Sequence, residues 1–595
     1  MLSAFFLTGI VLLQVKGKNP AAARLYLQLS YGNQNQIIKG WQEENSHNIT
    51  FFLPSGTDQV KWRLKKGEEF WLDGKKLEDG QRCEWENGKT YELFERGWHD
   101  SADQYYKLTF MQSERLPGVF LETETGKPDY ILEDKKNSEK GSLLLVDAEG
   151  NVDYTGSFAQ LKGRGNYTWL LDKKSFSLNF DLPAALFGMA EETQWVLMAS
   201  AAEETHLINR MVFEMMREAG ISDVQESAWV DLYLNGEYAG NYLLSRKVRI
   251  PKTEEDSWMV EFDGYWKEEG GIGFDTLAGE AVAIKYPETA DDAEQSRISG
   301  FVQRVENAVL DENGVDLESG LSWQELADAD SLVKKYVLDE ISKCPDGWNG
   351  SNYCYLRDGK LYFGAPWDYE FSFGNQPAWF SGLKLPQGLY HKEETSWYRG
   401  LYRKEEFLNA VRESYRNFFR PYLLLQAEEK LDRQAELISA SMKMDAVRWG
   451  RDAGQFDRKV EDLKNYIYDR IGWLDQEWLS LPYTEVPYYG LHLMDGEEEY
   501  AVYYIREGGY VEESMLVRKE ESFTGWYADS ACTRPADLLN TPVWEDLYLY
   551  SGWNRMGARA KLLFGLIPLG IFSVILLLWI GYSASVHRKK EKDQF

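Results

Sequence analysis

Cysteine and histidine are scarce in this chain, and basic residues are outnumbered by acidic ones. Four cysteines in 595 residues are too few for a disulfide scaffold, although Cys344 and Cys354 remain candidates for one pair. The six histidines are scattered, which argues against a zinc site. The 66 Lys and Arg face 96 Asp and Glu, and the net charge of −30 argues against nucleic-acid binding, which needs a basic footprint. The negative charge either keeps the protein soluble or attracts basic partners.

The longest uncharged apolar run lies close to the C-terminus, at 562–586. It is long enough to cross a hydrocarbon core of ~30 Å, so we predict one transmembrane helix there. The basic tail 587–595 is then expected in the cytoplasm. Residues 1–23 hold a shorter apolar run and three consecutive alanines at 21–23, which predict a signal peptide or a retained N-terminal anchor. Together these segments predict a single-pass protein of the cell membrane with its large domain extracellular.

Three regions of different pattern lie between the two ends. Residues 24–115 alternate polar and apolar side chains between turn signals and predict a small antiparallel β domain. Residues 116–484 mix strands with amphipathic helical segments, and residues 485–553 return to short strands. The predicted fold class is α+β, with small β domains on both sides of the main domain.

The stretch GKLYFGAPWDYEFSFGN places a carboxylate, Asp368, in a segment that otherwise has the pattern of a buried strand. An Asp-Gly dipeptide between two apolar runs is a strong hairpin signal, and this turn would pair Tyr355 with Tyr362. The same register returns the chain to CPDGWNGSN, the segment before the first strand. We therefore expect Asp346 and Asn352 close to Asp368.

Two carboxylates and a carboxamide at the open end of a hairpin are hard oxygen ligands. They suit Mg²⁺ or Mn²⁺, especially where substrate phosphates complete the coordination. An Asp, an Asn, a hairpin and then a metal-binding Asp is also the order found in protein kinases. Taken one at a time, each residue is more simply explained as a turn former or a helix cap, so the hypothesis depends on their convergence.

Six sequence blocks together resemble the spore coat protein H (CotH) kinase family. In chain order they are LKGRGNYTWLLDKKSFSLNFD, HLINRMVFEMMREAG, VDLYLNGEYAGNYLL, MVEFDGY, VAIKYPE and DEISKCPDGWNGSNYCYLRDGKLYFGAPWDYEFSFGN. They follow the family's order over residues 116–420. The resemblance implies an atypical protein-kinase-like fold that uses ATP with Mg²⁺ or Mn²⁺ to phosphorylate Ser or Thr of a protein.

The resemblance also implies roles for single residues. Asp346 matches the catalytic aspartate, which orients the acceptor hydroxyl or accepts its proton. Asp368 matches the aspartate of the family's WD element and would hold the metal ion, while Asn352 resembles the asparagine that binds a second ion. These roles suit phosphoryl transfer, which depends on positioning and on neutralising charge.

A basic segment is expected to handle the phosphates of ATP. The RGN element, Arg164, Gly165 and Asn166, combines charge with a backbone that can approach closely. Lys173 and Lys174 follow it, and we expect one of them in the site, with a slight preference for Lys174.

Three further residues are candidates at the nucleotide. Lys285, in the IKYP segment, would add a basic group. Glu214 lies on a helical segment and could pair with the phosphate-binding lysine, as kinases require. Trp367 either packs beneath the site or stacks on adenine, and packing is favoured.

Two departures from the family pattern leave an inactive homologue as an alternative. Arg246 stands where family members usually carry Glu, and Glu370 stands where they often carry Asp, which alters the reach of an oxygen ligand. The alternative function is a catalytically inactive surface binding or adhesion protein, and a metal-dependent hydrolase using Asp346 and Asp368 is a third hypothesis. For a kinase, the net charge favours a basic, Ser-rich protein substrate.

The end of the third region resembles the internalin B-type repeat of bacterial surface proteins, which has a β-grasp shape. The resemblance rests on GWY at 525–527, PV at 542–543 and LYLYSGW at 547–553. It implies a spacer or adhesive module.

Overall fold

The structure is a computed structural model that describes residues 25–44, 46–97, 102–249, 257–268, 270–520, 522–539 and 541–554. These residues form two compact units, one of 25–375 with 386–483 and one of 376–385 with 484–554. The predicted signal segment and the predicted transmembrane helix lie outside the described residues. Within the part of the chain that is described, no helix has the length and apolarity needed to cross a membrane.

The first unit begins with nine strands in two sheets, of order β2-β1-β5 and β3-β4-β9-β8-β6-β7. They are β1 (Leu25–Tyr31), β2 (Gln34–Lys39), β3 (Trp41–Gln42), β4 (Asn48–Leu53), β5 (Val60–Leu64), β6 (Phe70–Leu72), β7 (Lys75–Lys76), β8 (Thr90–Glu95) and β9 (Gln104–Gln112). The pairing is antiparallel, as predicted, except between β4 and β9, which run parallel. The core of these strands includes Phe120 and Tyr233 from later strands, so this region packs as part of the first unit.

Seven strands close a barrel in the order β10-β11-β12-β13-β14-β16-β15. The elements are β10 (Gly118–Thr123), α1 (Asp129–Glu133), β11 (Ser138–Val146), β12 (Val152–Arg164), β13 (Ser175–Ala184), β14 (Glu192–Met198), α2 (Ile208–Glu218), β15 (Ser227–Leu234) and β16 (Glu237–Arg246). Side chains alternate between the two faces of each strand. On β12, Leu161 therefore belongs to the barrel core, and Lys162 and Arg164 lie on the outer face.

A five-stranded sheet follows, in the order β18-β19-β17-β20-β21. The elements are β17 (Met259–Phe262), β18 (Gly273–Asp275), β19 (Ala281–Tyr286), α3 (Asp292–Leu310), α4 (Trp323–Leu326), α5 (Ala329–Ser342), β20 (Asn352–Arg357) and β21 (Lys360–Phe363). Strands β20 and β21 form the predicted hairpin, with Tyr355 opposite Tyr362. The turn residues Asp358 and Gly359 have φ of 50° and 74°, which is the conformation an Asp-Gly turn provides.

Helices complete the first unit. They are α6 (His391–Glu394), α7 (Ser396–Leu401), α8 (Glu405–Ser414), α9 (Arg420–Leu425), α10 (Leu431–Trp449) and α11 (Phe456–Leu479). Two π-helical turns, Tyr415–Phe419 and Gln426–Lys430, join α8, α9 and α10 into one continuous helix. Their buried faces share one apolar core with α2, α5 and the five-stranded sheet. The α+β class predicted from the sequence is confirmed.

The second unit is built on a four-stranded sheet of order β23-β22-β25-β24. Its elements are a 3₁₀ segment (Ala378–Lys384), β22 (Tyr488–Asp495), β23 (Glu498–Arg506), α12 (Glu513–Leu516), β24 (Phe523–Tyr527) and β25 (Leu547–Trp553). Strands β22 and β25 run parallel, around a core that includes Leu491, Trp526 and Leu549. The GWY segment lies in β24 and pairs with β25, which is the LYLYSGW segment. The likeness to an internalin B-type repeat stays a prediction.

Candidate active site

Asp346 lies in the loop between α5 and β20, and a buried network holds this loop. Lys335 donates hydrogen bonds of 2.6 Å to both carboxylate oxygens of Asp339, and it also donates to the carbonyl of Gly347. The hydroxyl of Tyr369 donates to Asp339 at 2.9 Å. A Cβ atom on Gly347 would lie 2.8 Å from Asp339 Oδ1, so a side chain there would displace the network. The same buried carboxylate therefore positions both the Asp346 loop and the loop that follows Asp368.

Asp368 adopts a left-handed backbone conformation, with φ of 61°. This region is uncommon for a residue other than glycine. Its neighbours hold it there: the Tyr369 amide donates to the Asn209 side chain at 2.8 Å, and the Cys344 thiol donates to the Asp368 carbonyl at 3.8 Å. A strained residue that its surroundings fix in this way is typical of a functional site.

Three carboxylates converge around these loops. Burial raises the pKa of Asp346 to about 6, and the negative charge of Asp368 contributes to the same shift. Burial also raises the pKa of Asp368, and the pKa of Glu370 lies well above its usual range because of burial and of repulsion from Asp368, Glu203 and Asp346. Among the described residues, none of the three carboxylates has a hydrogen-bond or ion-pair partner. Such a cluster is costly to bury unless a cation balances it.

Arg164, the last residue of β12, faces this carboxylate cluster. Burial lowers the pKa of its guanidinium, and the charges of Asp368, Glu261 and Glu370 act in the opposite direction. The guanidinium carbon lies 4.9 Å from the centre of the Trp367 ring. In the described part of the chain Arg164 forms no ion pair, although it is near enough to the carboxylates for their charges to act on it.

A basic surface adjoins Arg164. Lys285 on β19 places its ammonium 2.7 Å from Glu261 of β17. Lys247, directly after β16, is an exposed residue, and its pKa is lowered by partial desolvation and by repulsion from Arg164, Lys162 and Lys285. Positive groups that repel one another beside unpaired carboxylates suit a polyphosphate that arrives with a metal ion.

Lys173 and Lys174 have other partners. Lys173 is buried, donates to the Asn241 carbonyl at 2.6 Å and lies 2.6 Å from Asp445 on α10. Burial lowers its pKa to about 8, although Asp445 opposes the shift. Lys174 donates to the carbonyl of Trp169 and lies 4.9 Å from the centre of that ring. These contacts join the barrel to α10 and close the turn after β12, and a role at the nucleotide for either lysine stays a prediction.

The glycine of the RGN element shapes the turn that presents Arg164. Gly165 has φ of 100°, and a Cβ atom there would lie 2.3 Å from Thr168 Oγ1. Asn166 is exposed and accepts a hydrogen bond of 2.8 Å from Lys135, which also donates to the Gly165 carbonyl at 3.2 Å. Gly165 and Asn166 therefore fix the turn, and Arg164 is the member that faces the carboxylates.

Glu214 is a residue of α2, and Trp367 packs against the same helix. The Glu214 carboxylate accepts from Arg210 at 2.8 Å and from Gln434 at 3.0 Å, and its pairing with a lysine stays a prediction. Trp367 is buried and stacks on Phe213, with ring centres 6.2 Å apart. With Arg164 and Phe213 both against its ring, Trp367 has the contacts expected of a residue that packs beneath the site.

Asn352 is fully buried at the start of β20. Its side-chain oxygen accepts from the Cys354 thiol at 3.7 Å, and its Nδ2 has no hydrogen-bond partner among the described residues. Rotating the amide by half a turn would leave the oxygen as the unpaired atom. Cys344 and Cys354, which the sequence left open as a pair, are both free thiols.

The donors fit a divalent ion only in part. Within the described residues, no group of three or more His, Cys, Asp and Glu side chains has the arrangement of a preformed metal centre. The Asp346 and Asp368 carboxylates nevertheless repel each other in a partly buried place without hydrogen bonds, and Mg²⁺ commonly uses one or two carboxylates plus substrate phosphates. Asp368 is the residue that would hold the ion, with Asn352 as the second candidate.

Sequence reasoning did not single out several charges near the site. Lys162 could have been predicted, because it lies two residues before Arg164 in β12 and therefore on the same face of the strand. Lys247 and Glu261 carry no local signal, since their place depends on how the barrel meets the sheet. Arg246, where the family charge is reversed, lies 3.7 Å from Glu226.

The fold and the site define an α+β protein with a buried acidic site beside a basic surface. The family model described as CotH kinase protein matches residues 161–474, which is more than half of the chain and includes every sequence-predicted residue of the site. The chain belongs to this family. A comparison with curated proteins finds no match to the chain.

Proposed function

We propose that this protein is an ATP-dependent kinase that transfers the γ-phosphoryl group to a serine or threonine of another protein. The observation that carries the proposal is the convergence of Asp346 and Asp368, which are half-buried, have no hydrogen-bond partners among the described residues and face Arg164. Membership of the CotH kinase family supports it. An atypical kinase-like fold, in which the barrel and the five-stranded sheet enclose the nucleotide, is part of the proposal.

The chemistry assigns a separate task to each group. The acceptor oxygen bonds to the γ-phosphorus while the bond from that phosphorus to the β–γ bridging oxygen breaks and ADP leaves. Asp346 orients the acceptor hydroxyl and takes its proton, and a pKa of about 6 suits a base that works near neutral pH. Arg164, Lys247 and Lys285 hold phosphate oxygens by charge-assisted hydrogen bonds. Mg²⁺ or Mn²⁺, when bound at Asp368, supplies neutralisation of the phosphate charge.

The location and the second unit belong to the same proposal. A signal segment at 1–23 and a transmembrane helix at 562–586 would place the kinase domain outside the cell. The second unit would act as an internalin B-type spacer or adhesive module, supported by the pairing of its GWY and LYLYSGW segments. Protease treatment of intact cells tests the location, because a cytoplasmic kinase domain would be protected.

The proposed activity is tested by phosphoryl transfer from γ-³²P-labelled ATP with the full-length protein in detergent. The acceptors are the protein itself and a basic, serine-rich protein, with Mg²⁺, Mn²⁺ or a chelator. Transfer that requires the metal supports the kinase. Release of free phosphate with no labelled protein would favour a hydrolase, and an absence of both transfer and ATP binding would favour an inactive binding protein.

Lys247→Gln is expected to weaken the binding of ATP with Mg²⁺ by about tenfold, because one charge-assisted contact to phosphate is lost. The loss should shrink at high salt, since the contact is at the surface. Thermal stability should not change, because the Lys247 side chain is exposed. Calorimetric titration at two salt concentrations measures the effect, and Lys75→Gln is the matched control, also at an exposed lysine. Equal affinities in the two variants would show that Lys247 does not contact the nucleotide.

A further inference from the structure

A groove lies apart from the carboxylate cluster, beside the turn between β18 and β19. This turn, the C-terminal half of α3 and the loop after α3 enclose about 580 Å³, within the range of ligand pockets. Leu277 and Leu317 in its lining are 86% and 84% exposed, and Leu310 is exposed as well. Several largely exposed leucines on one concave surface indicate a site where another molecule packs.

The groove carries charge of one sign. Its lining contains four carboxylates and no lysine or arginine among the described residues: Glu306, Asp311, Asp316 and Glu318. Glu306 and Asp316 are buried and already used within the fold, since Glu306 accepts from Trp397 at 3.0 Å and Asp316 accepts from Asn307 at 3.1 Å. Glu318 is exposed, and its carboxylate has no partner in the described part of the chain. Exposed leucines in an acidic surrounding complement a segment whose leucine-sized side chains are flanked by lysine or arginine.

The groove is connected to the catalytic loop. Glu280 ends the same turn and accepts a hydrogen bond of 2.9 Å from Trp348, which is two residues after Asp346. The short chain segments from Leu277 to Glu280 and from Trp348 to Asp346, joined by this hydrogen bond, place Leu277 within roughly 30 Å of Asp346. An extended segment of about nine residues covers that distance.

We propose that this groove docks a basic, leucine-bearing segment of the protein substrate and so delivers a hydroxyl about nine residues away to Asp346. Docking itself needs no phosphoryl transfer. Only the identity of the partner as substrate rests on the proposed kinase function.

The test measures binding of a fluorescently labelled peptide of about 12 residues, with two leucines one helical turn apart among arginines and lysines. The full-length protein should bind it without nucleotide, and changing both leucines of the peptide to serine should abolish binding. Leu277→Ser combined with Leu317→Ser should weaken binding by about tenfold or more. Leu182→Ser is the matched control, because Leu182 lies on β13 outside the groove and is 77% exposed. The Leu182→Ser variant should bind the peptide with the affinity of the parent protein.

Two results would overturn the proposal: the parent protein fails to bind the peptide, or the double variant binds it as tightly as the parent does. A second measurement separates docking from catalysis. Asp346→Asn should bind the peptide with unchanged affinity, and joining the peptide about nine residues from a serine should lower KM in the parent but not in the double variant. If the peptide binds but no serine is ever phosphorylated, the docking site stands and the kinase function fails.

Discussion

Asp368→Asn is expected to reduce phosphoryl transfer by about 1,000-fold or more and to remove the metal dependence of ATP binding. The reason is the loss of the carboxylate that would hold the ion, since metal stabilisation of the transition state contributes several kcal/mol. Asparagine is the informative substitution because it accepts φ near 61° more readily than alanine does, so the backbone is preserved. Initial rates and calorimetric titration of ATP, each with and without Mg²⁺, measure the two effects.

Asp358→Asn is the control for this variant. Asp358 also has a left-handed backbone, with φ of 50°, but it lies in the exposed turn of the β20–β21 hairpin. The Asp358→Asn variant should leave phosphoryl transfer unchanged. In metal-free buffer Asp368→Asn should melt at a higher temperature than the parent, because it relieves repulsion with Asp346. Metal-dependent ATP affinity that survives in Asp368→Asn would rule out the assigned role.

Asp346→Asn is expected to lower kcat by roughly 100- to 10,000-fold, the contribution of a general base, and to leave ATP affinity within about twofold. In the proposed mechanism Asp346 acts on the acceptor hydroxyl, so the substitution should remove proton transfer without removing phosphate contacts. Separate measurement of kcat and of the dissociation constant for ATP tests this split. A parallel loss of ATP affinity would instead make Asp346 a metal ligand.

The pH dependence of stability gives an independent check on Asp346. Its pKa is raised from 3.8 to about 6 in the folded protein, so folding favours its protonated form. This stabilisation is fully present below pH 3.8 and is lost as the pH rises through about 6. The melting temperature of the metal-free parent should therefore fall between about pH 4 and about pH 7 more steeply than that of Asp346→Asn. Identical slopes would mean that Asp346 is not desolvated.

Local signals predicted the part of the site that lies within one stretch of chain. The Asp-Gly turn at 358 and 359 sets the hairpin register, and that register is enough to bring Asp346 near Asp368. Contacts between distant parts of the chain were not predicted. The RGN element pointed to Lys173 or Lys174 as a phosphate ligand, which stays a prediction, but nothing local indicated that the Lys173 ammonium pairs with Asp445, far along the chain on α10.

The sequence by itself determined the α+β class, the β20–β21 hairpin and the family, because turn chemistry, side-chain periodicity and motif order are all local properties of the chain. Only the tertiary structure decided which charges meet. It placed Arg164 over Trp367 and Lys247 beside Arg164, and it left the carboxylates of Asp346, Asp368 and Glu370 without partners among the described residues. The physical reason is that burial and charge interactions depend on distance in space, and here the packing of the barrel against the sheet sets that distance between residues up to about two hundred positions apart in sequence.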